Sequence, residues 1–242
     1  MERKPFIPVL IVVLMVVAAA MIITSPGTDD RSDRIYQIGT LEGLLNGDFE
    51  GKITVGELLE HGSYGLGTFD GIDGEMIVID GECYRVAADG SVTLMPSTST
   101  TPFASVTDLF DEGSVTVTAN TNYSGLKERL MSSLENDQAF YMFVIHATYA
   151  NVTVRSVPGQ QIPYPPLADV IEQQSIYHLE NVTGTLIGFY APSYIGTVDQ
   201  AGFHFHFISD DRTQGGHVLD LQLENVEVHL DMKLGLDLEL KK

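Results

Sequence analysis

The chain has 242 residues, with 13 basic and 33 acidic side chains and a formal net charge of −20. This length suffices for one large domain or two small ones with a true hydrophobic core. A surface this acidic repels phosphate backbones, so the composition argues against nucleic acid as a partner. The single cysteine, Cys83, excludes an internal disulfide, and its strand-like surroundings predict a buried structural thiol.

The N-terminal segment combines a basic flank with an apolar run. Arg3 and Lys4 precede residues 6–23, which contain no charged side chain. Such a run is typical of a secretory signal or a single membrane anchor. Three alanines at 18–20 lie inside the run rather than at its end, which favours an uncleaved anchor. We expect residues 1–34, anchor plus polar linker, to hold the folded part outside the cytoplasm and to make the only membrane contact.

The first part of the folded region mixes short helices with strands. Helices are expected at 40–45 and 55–60, where a threonine is placed to cap each start. The apolar pattern then changes to period two, which indicates strands at 76–80 and 83–87 around a Gly81-Glu82 hairpin turn. Two further strands are expected at residues 91–95 and 115–118.

The rest of the chain is richer still in strands. A helix is expected at 126–131, followed by a hairpin of strands 139–150 and 152–157. A loop at 158–166 contains four prolines, and Pro166 suits the first position of a helix over 167–172. The last third predicts five more strands, at residues 183–190, 203–208, 217–223, 225–232 and 234–240.

This order of elements predicts a strand-dominated α+β fold of mixed α/β character. We expect two sheet-based subdomains that meet near the proline-rich loop. The first, residues 35–157, is predicted to be an α/β sheet domain. The second, residues 158–242, is predicted to be β-rich and to bind a metal ion.

The metal prediction rests on three histidines near the end of the chain. His204 and His206 are spaced i, i+2, so in a strand they project from one face. A polar stretch at 209–216 ends in two glycines and is typical of a hairpin connection, which brings His217 beside the first two. Three imidazoles without a cysteine match a catalytic zinc site with an open position. Imidazole also suits iron, manganese, copper and nickel.

Two further residues are candidates for chemistry. Glu75 begins a strongly apolar strand, where burial can make a carboxyl a general acid or base. The sequence alone favours the alternative that Glu75 is a solvated turn charge, because its neighbours Asp70 and Asp73 are turn residues. Arg155 lies within β-branched residues and can clamp a carboxylate through two hydrogen bonds, or simply point outward from its strand.

Taken together, these segments resemble the α-acetolactate decarboxylase family from about residue 35 to about residue 240. Each stretch is short, and the match comes from their number and order. The stretches that carry the resemblance are His61–Phe69, Asp73–Met76, Thr101–Ala104, Arg155–Pro158, Pro163–Leu167, Phe203–Phe207 and Gly215–Asp220.

The resemblance implies a zinc enzyme that converts 2-acetolactate to acetoin and carbon dioxide. It also implies two α/β domains, of which the second is an open β-barrel that carries the metal hairpin, and a homodimer. It places the metal ligands on His204, His206 and His217, the functional glutamate on Glu75, the arginine on Arg155 and a substrate-side threonine on Thr68.

These residue types suit the chemistry. Zinc held by neutral imidazoles keeps its full charge and can accept the charge of an enediolate. Arg155 is expected to orient the leaving carboxylate, and Glu75 to assist protonation. The family also carries a C-terminal tail with a second glutamate, for which the sequence after the last predicted strand shows no counterpart. Three alternatives follow: Glu75 acts alone, another group replaces that tail, or the activity is weak.

Two other functions remain open from the residues. The same three ligands would serve a metal-dependent hydrolase or an iron oxygenase. A non-catalytic exported protein that sequesters metal, or that binds a hydroxy-keto acid, is a third interpretation. Glu75 and Arg155 argue against simple metal capture, which requires neither side chain.

Overall fold

The computed structural model describes residues 33–110, 113–117 and 120–241. The expected signal or anchor at 6–23 lies outside these ranges. Within them, no helix is both long enough and apolar enough to cross a membrane.

Strands dominate the described part of the chain, and its helices are short. The α-helices are α1 Leu41–Leu45, α2 Val55–Leu59, α3 Tyr123–Ser133 and α4 Leu167–Ile171, and two 3₁₀ helices cover Asp70–Ile72 and Ser193–Ile195. The strands before residue 110 are β1 Arg34–Ile38, β2 Ile53–Thr54, β3 Tyr64–Thr68, β4 Glu75–Ile79, β5 Glu82–Val86, β6 Val92–Leu94, β7 Thr100–Thr101 and β8 Ala104–Thr107. The later strands are β9 Gly113–Val117, β10 Thr121–Asn122, β11 Phe140–Ser156, β12 Ser175–Ala191, β13 Gly202–Ser209, β14 Gly215–Leu223, β15 Val226–Lys233 and β16 Gly235–Glu239.

Most strands belong to two seven-stranded sheets. The first sheet has the order β16-β1-β8-β3-β4-β5-β6, and the second has the order β10-β14-β13-β12-β11-β15-β9. In the second sheet β14 also pairs with β11, so each of the strands β11 to β14 is paired with two others of these four. The strand-dominated α+β class is thereby confirmed. The open β-barrel expected for this region stays a prediction.

The division between the sheets does not coincide with the expected boundary at residues 157 and 158. The second sheet already includes β9 and β11, which precede that boundary. The last strand, β16, leaves the C-terminal region and pairs in parallel with β1 of the first sheet. Nonlocal pairing of this kind leaves no mark in local periodicity. The two subdomain ranges stay a prediction.

Local signals placed the early elements well. Thr40 accepts a hydrogen bond from the Gly43 N–H at 3.0 Å, and Thr54 forms a capping box with Glu57. The β4–β5 hairpin turns at Asp80-Gly81, one residue before the predicted turn. Both residues have positive φ, 53° and 76°, as a two-residue hairpin of type I′ requires.

The hairpin predicted over 139–157 is wrong. One strand, β11, runs through all 17 residues from Phe140 to Ser156. It pairs with β12 over almost its whole length, and a register shift against β14 occurs near Asn151. A lone asparagine without glycine or proline does not turn the chain when both flanking segments already have partners.

The two faces of β13 have different environments. Phe203, Phe205 and Phe207 point into the core of the second sheet, where Phe205 and Phe207 are fully buried. A separate apolar cluster joins the sheets, with Ile77 from β4 packed in the same cluster as Ile208 from β13. The histidine face of β13 therefore looks toward the first sheet, and the site forms where the two sheets meet.

Candidate metal centre

The three predicted histidines converge as expected. His204 and His206 lie on β13, and His206 is the direct cross-strand partner of His217 on β14. The Nδ1 atom of His217 lies 3.1 Å from His204 Nε2 and 3.3 Å from His206 Nε2. One ring nitrogen from each residue lies within 4.8 Å of the other two.

This spacing fits a metal ion. Two imidazole nitrogens bound tetrahedrally at the usual 2.0–2.1 Å stand about 3.3 Å apart. The observed separations of 3.1 and 3.3 Å agree with that value. The lone pairs of three converging ring nitrogens have no proton to share, so neutral imidazoles cannot satisfy them by hydrogen bonds to one another. One metal cation can bind all three nitrogens.

A carbonyl of the first sheet orients the buried His206. Its Nδ1 lies 2.8 Å from the main-chain oxygen of Met76 on β4. A carbonyl only accepts, so Nδ1 carries the proton and the Nε2 lone pair is free for the metal. Such an outer contact fixes both the tautomer and the ring orientation of a metal-binding histidine.

All three imidazoles are held in the neutral form. Burial lowers the pKa of His206 to about 4, while the Met76 carbonyl opposes the shift and the Arg155 charge adds to it. Burial also lowers the pKa of His204 and of His217 well below the ordinary value, with further contributions from neighbouring imidazoles and Arg155. A neutral imidazole is the form that binds metal.

Glu75 and Thr68 face each other across β3 and β4 beside this cluster. Glu75 is 7% exposed, and its Oε2 lies 3.5 Å from His206 Nε2. Burial raises the pKa of Glu75 to about 7, although Arg155 lowers it. The buried interpretation of Glu75 is thus the correct one, and its carboxyl can hold a proton near neutral pH. The Thr68 hydroxyl donates to the Gly74 carbonyl at 2.7 Å, so toward the pocket its oxygen can only accept.

Arg155 points inward, beside the histidines. It pairs in register with His217 across β11 and β14. Its Nε atom is buried and has no hydrogen-bond acceptor among the described residues. A buried unpaired donor on a cation is costly unless an anion occupies the space beside it. The neighbouring Gly216 is required here, because its φ is +139° and a Cβ would lie 2.5 Å from the Arg155 carbonyl oxygen.

These groups line one cavity of about 250 Å³. One part of its wall is polar and contains all six predicted site residues. The remaining wall is mostly apolar and includes Leu41, Leu44, Leu45, Phe103, Leu167 and Ile171. No feature of the sequence assigns these apolar residues to the site, because leucines in short helices look like ordinary core residues.

Two polar residues of the cavity also escaped the sequence analysis. Asp199 and Gln200 line it from the loop that connects β12 and β13. They follow no periodic pattern and belong to no recognisable motif, so no local signal marked them.

The arrangement defines a class of protein. Three convergent neutral imidazoles, a protonatable carboxyl and a guanidinium with a free donor share a small, largely apolar pocket. This set is typical of a metal-dependent enzyme that acts on a small anionic substrate.

Comparisons with known proteins give the family. A family model described as alpha-acetolactate decarboxylase matches residues 35–242. The alpha-acetolactate decarboxylase of Methanosarcina mazei is 40% identical over 205 residues, covering 85% of this chain and 71% of the relative. That of Bacillus subtilis strain 168 is 34% identical over 212 residues, covering 88% of this chain and 83% of the relative. A crystal structure of the Bacillus subtilis strain 168 enzyme superposes with a TM-score of 0.84 at 33% identity, covering 86% of this chain and 89% of that one.

The chain belongs to the alpha-acetolactate decarboxylase family. The family resemblance and the assignment to the carboxy-lyases are both confirmed. The individual roles of the six site residues stay predictions.

Proposed function

We propose that this chain catalyses the zinc-dependent decarboxylation of 2-acetolactate to acetoin and carbon dioxide. One observation carries the proposal from family to mechanism: the buried Arg155 Nε, unpaired among the described residues, lies in the same cavity as the three-histidine cluster. The reaction needs a cationic site for a carboxylate beside a site for the oxygens of a hydroxy-ketone. This pocket combines the two.

The reaction breaks the bond between the α-carbon and the carboxylate carbon. The electron pair moves toward the neighbouring ketone, which gives carbon dioxide and an enediolate, and a proton must then reach the α-carbon. His204, His206 and His217 would hold Zn²⁺, which when bound supplies Lewis-acid stabilisation of negative charge on oxygen.

Arg155 orients the carboxylate that leaves. Its guanidinium can bind both carboxylate oxygens in one plane, which fixes the direction of the bond that breaks. The strand pairing with His217 holds this cation beside the metal cluster before substrate arrives. Such preorganisation supplies positioning without rearrangement during the reaction.

Glu75 supplies the proton for the α-carbon. Burial of the Glu75 carboxyl favours its protonated form, which can donate a proton to carbon. Its position beside His206 places the proton next to the site where negative charge develops. Thr68 accepts a hydrogen bond from the substrate side, and the apolar wall of α1 and α4 limits water in the pocket.

The test uses the purified chain with its zinc content measured by elemental analysis. With racemic 2-acetolactate, we expect acetoin and carbon dioxide in equal amounts, loss of activity with a chelator, and recovery with Zn²⁺. His206→Ala should lose both zinc and activity. Zinc binding without acetoin would contradict the proposal and would favour a metal-sequestering protein or a metal-dependent enzyme with another substrate.

We extend the proposal to location and assembly. The uncharged run at 6–23 supports an extracytoplasmic enzyme, either anchored by this segment or released after cleavage. We also propose a homodimer, with the open barrel of β11 to β14 as the metal-binding half of each subunit. Protease accessibility in intact cells tests the location, and light scattering of the purified protein tests the assembly.

A further inference from the structure

One ionisable group of the pocket has no role in the mechanism above. The Asp199 carboxyl lies in the loop at 192–201, between β12 and β13, and is 9% exposed. It lines the same cavity as the histidines, Glu75 and Arg155. Glu75 reaches this cavity from the first sheet, whereas Asp199 reaches it from a connection of the second sheet.

The loop holds Asp199 in a fixed place. The Val198 carbonyl accepts hydrogen bonds from the Leu41 N–H at 3.0 Å and from Gln37 Nε2 at 2.8 Å. The Thr197 carbonyl accepts from the Glu42 N–H at 2.8 Å. The loop thereby satisfies free N–H groups at the start of α1, a helix that forms part of the same cavity wall. The main chain just before Asp199 is therefore held by hydrogen bonds to α1 and to Gln37 of the first sheet, although the loop itself connects two strands of the second sheet.

The carboxyl itself is only partly satisfied. Its Oδ1 accepts from the Gln200 N–H at 2.7 Å. In the described part of the chain it forms no ion pair, and the Ser105 hydroxyl lies beside it. Burial raises the pKa of Asp199 to about 6, while the Gln200 N–H and the Ser105 hydroxyl act in the opposite direction. A buried carboxyl without a cation is destabilising, so its place in the pocket wall calls for a ligand.

The proposed substrate offers one group that needs such an acceptor. Its carboxylate and ketone only accept hydrogen bonds, and its α-hydroxyl is the single donor. We propose that Asp199 accepts the hydrogen bond of the substrate α-hydroxyl and is a specificity-determining residue for α-hydroxy acids. This inference rests on the proposed decarboxylase function.

Asp199 suits this role better than the other acceptors of the cavity. Glu75 Oε2 lies 3.5 Å from His206 Nε2 and belongs to the metal side of the pocket. Thr68 offers a neutral hydroxyl oxygen, which is a weaker acceptor than a carboxylate. The Asp199 carboxylate receives one main-chain N–H on Oδ1, and its remaining lone pairs can accept a further hydrogen bond from the substrate.

The test compares two stable competitive inhibitors in wild type and Asp199→Asn. One is 2-hydroxy-2-methylbutanoate, which has the hydroxyl, and the other is 2,2-dimethylbutanoate, which lacks it. In the variant, the amide oxygen of the introduced asparagine can keep the main-chain bond, which leaves an NH₂ donor where an acceptor is required. We expect the ratio of the two inhibition constants, which measures preference for the hydroxyl, to fall about tenfold to a hundredfold in the variant. Using the ratio cancels any general change in the pocket.

A matched control is Asp220→Asn. Asp220 also accepts a hydrogen bond from the following main-chain N–H, Leu221 at 2.9 Å, but it is exposed on β14 and outside the cavity. Its variant should leave the ratio unchanged. An unchanged ratio in Asp199→Asn, or an equal loss of affinity for both inhibitors, would overturn the inference while wild-type acetoin formation still supports the decarboxylase. Absence of acetoin from wild type would instead reject the proposed function.

Discussion

Arg155 and His217 are direct cross-strand partners on β11 and β14, and His217 is in turn the direct partner of His206 on β13. A cation and two histidines of the candidate metal cluster therefore form one row across three adjacent strands. Direct cross-strand partners have their Cβ atoms about 4.5–5.5 Å apart. The sheet itself therefore holds the base of the Arg155 side chain beside the histidine cluster, without help from a loop.

This row predicts that Arg155 affects turnover without affecting metal content. Arg155→Ala should keep close to one zinc per chain and lose a hundredfold or more in kcat/KM, on the order of 3 kcal/mol of transition-state stabilisation. Arg155→Lys should recover only part of the activity, because lysine lacks the planar pair of donors. Steady-state kinetics and elemental analysis on the same samples measure both effects.

The control for this substitution is Arg129→Ala, since Arg129 is exposed on α3. It should match wild type in zinc content and in kcat/KM. If Arg155→Ala also retained full turnover, the carboxylate-orienting role would be rejected. A loss of zinc in Arg155→Ala would show that the arginine supports the fold of the metal site instead.

Gly216→Ala should destabilise the site by distorting the main chain next to His217. The new Cβ would lie 2.5 Å from the Arg155 carbonyl oxygen, at a φ of +139° that L residues rarely adopt. We expect a loss of about 2 kcal/mol in unfolding free energy and weaker zinc binding, since His217 is the next residue. Urea unfolding and zinc titration test this. Gly113→Ala, where the added Cβ meets no atom of the described residues within 4 Å, should be close to neutral, and an equal effect of the two variants would contradict the argument.

Much of this site was predictable because its signals are local. The i, i+2 spacing of His204 and His206 already places two ligands on one strand face. The polar connection to Gly216 then predicts the return of His217. Caps and turn residues likewise placed α1, α2 and the β4–β5 hairpin, since each depends on neighbours only a few positions away.

The remaining features depend on contacts between distant parts of the chain. The Met76 carbonyl that orients His206 acts across 130 positions of sequence. The pairing of β16 with β1 links the two ends of the folded part. Main-chain groups carry no residue signature, so periodicity cannot reveal either contact. The sequence also leaves open whether Arg155 points toward the pocket or toward solvent. Its pairing with His217 depends on β11 being one continuous strand between β12 and β14.

The lone cysteine provides a check on the fold that is independent of catalysis. Cys83 is 2% exposed, and burial raises the pKa of its thiol to about 12. At pH 8 only about one thiol in 10⁴ would be ionised, so N-ethylmaleimide should leave the native protein unmodified for an hour and label it fully in urea. Mass spectrometry counts the adducts. Equal labelling in both states would show that β5 is not buried as described.

Asp199 predicts a pH dependence of stability with a definite sign. Its pKa is about 6 in the folded protein, against an ordinary value of 3.8. The folded state therefore binds this proton more tightly than the unfolded state. The stabilisation that this proton gives to the folded state is fully present below about pH 4 and is lost as the pH rises through 6. The shift corresponds to about 3 kcal/mol at most.

Asparagine carries no charge at any pH, so the comparison of wild type with Asp199→Asn isolates this contribution. The unfolding free energy of wild type minus that of the variant should decrease by about 2–3 kcal/mol between pH 4 and pH 7. Urea unfolding of both proteins in chelator measures it, because groups that titrate alike in the two proteins cancel. Asp220→Asn gives the effect of the same substitution on the surface.

A difference that stayed constant with pH would show that Asp199 is ionised at little cost in the fold. A decrease of this difference with rising pH would mean that, at neutral pH, the ionised Asp199 carboxylate lowers the stability of the folded protein. Such a cost at a pocket wall is expected for a group that serves a ligand rather than the fold.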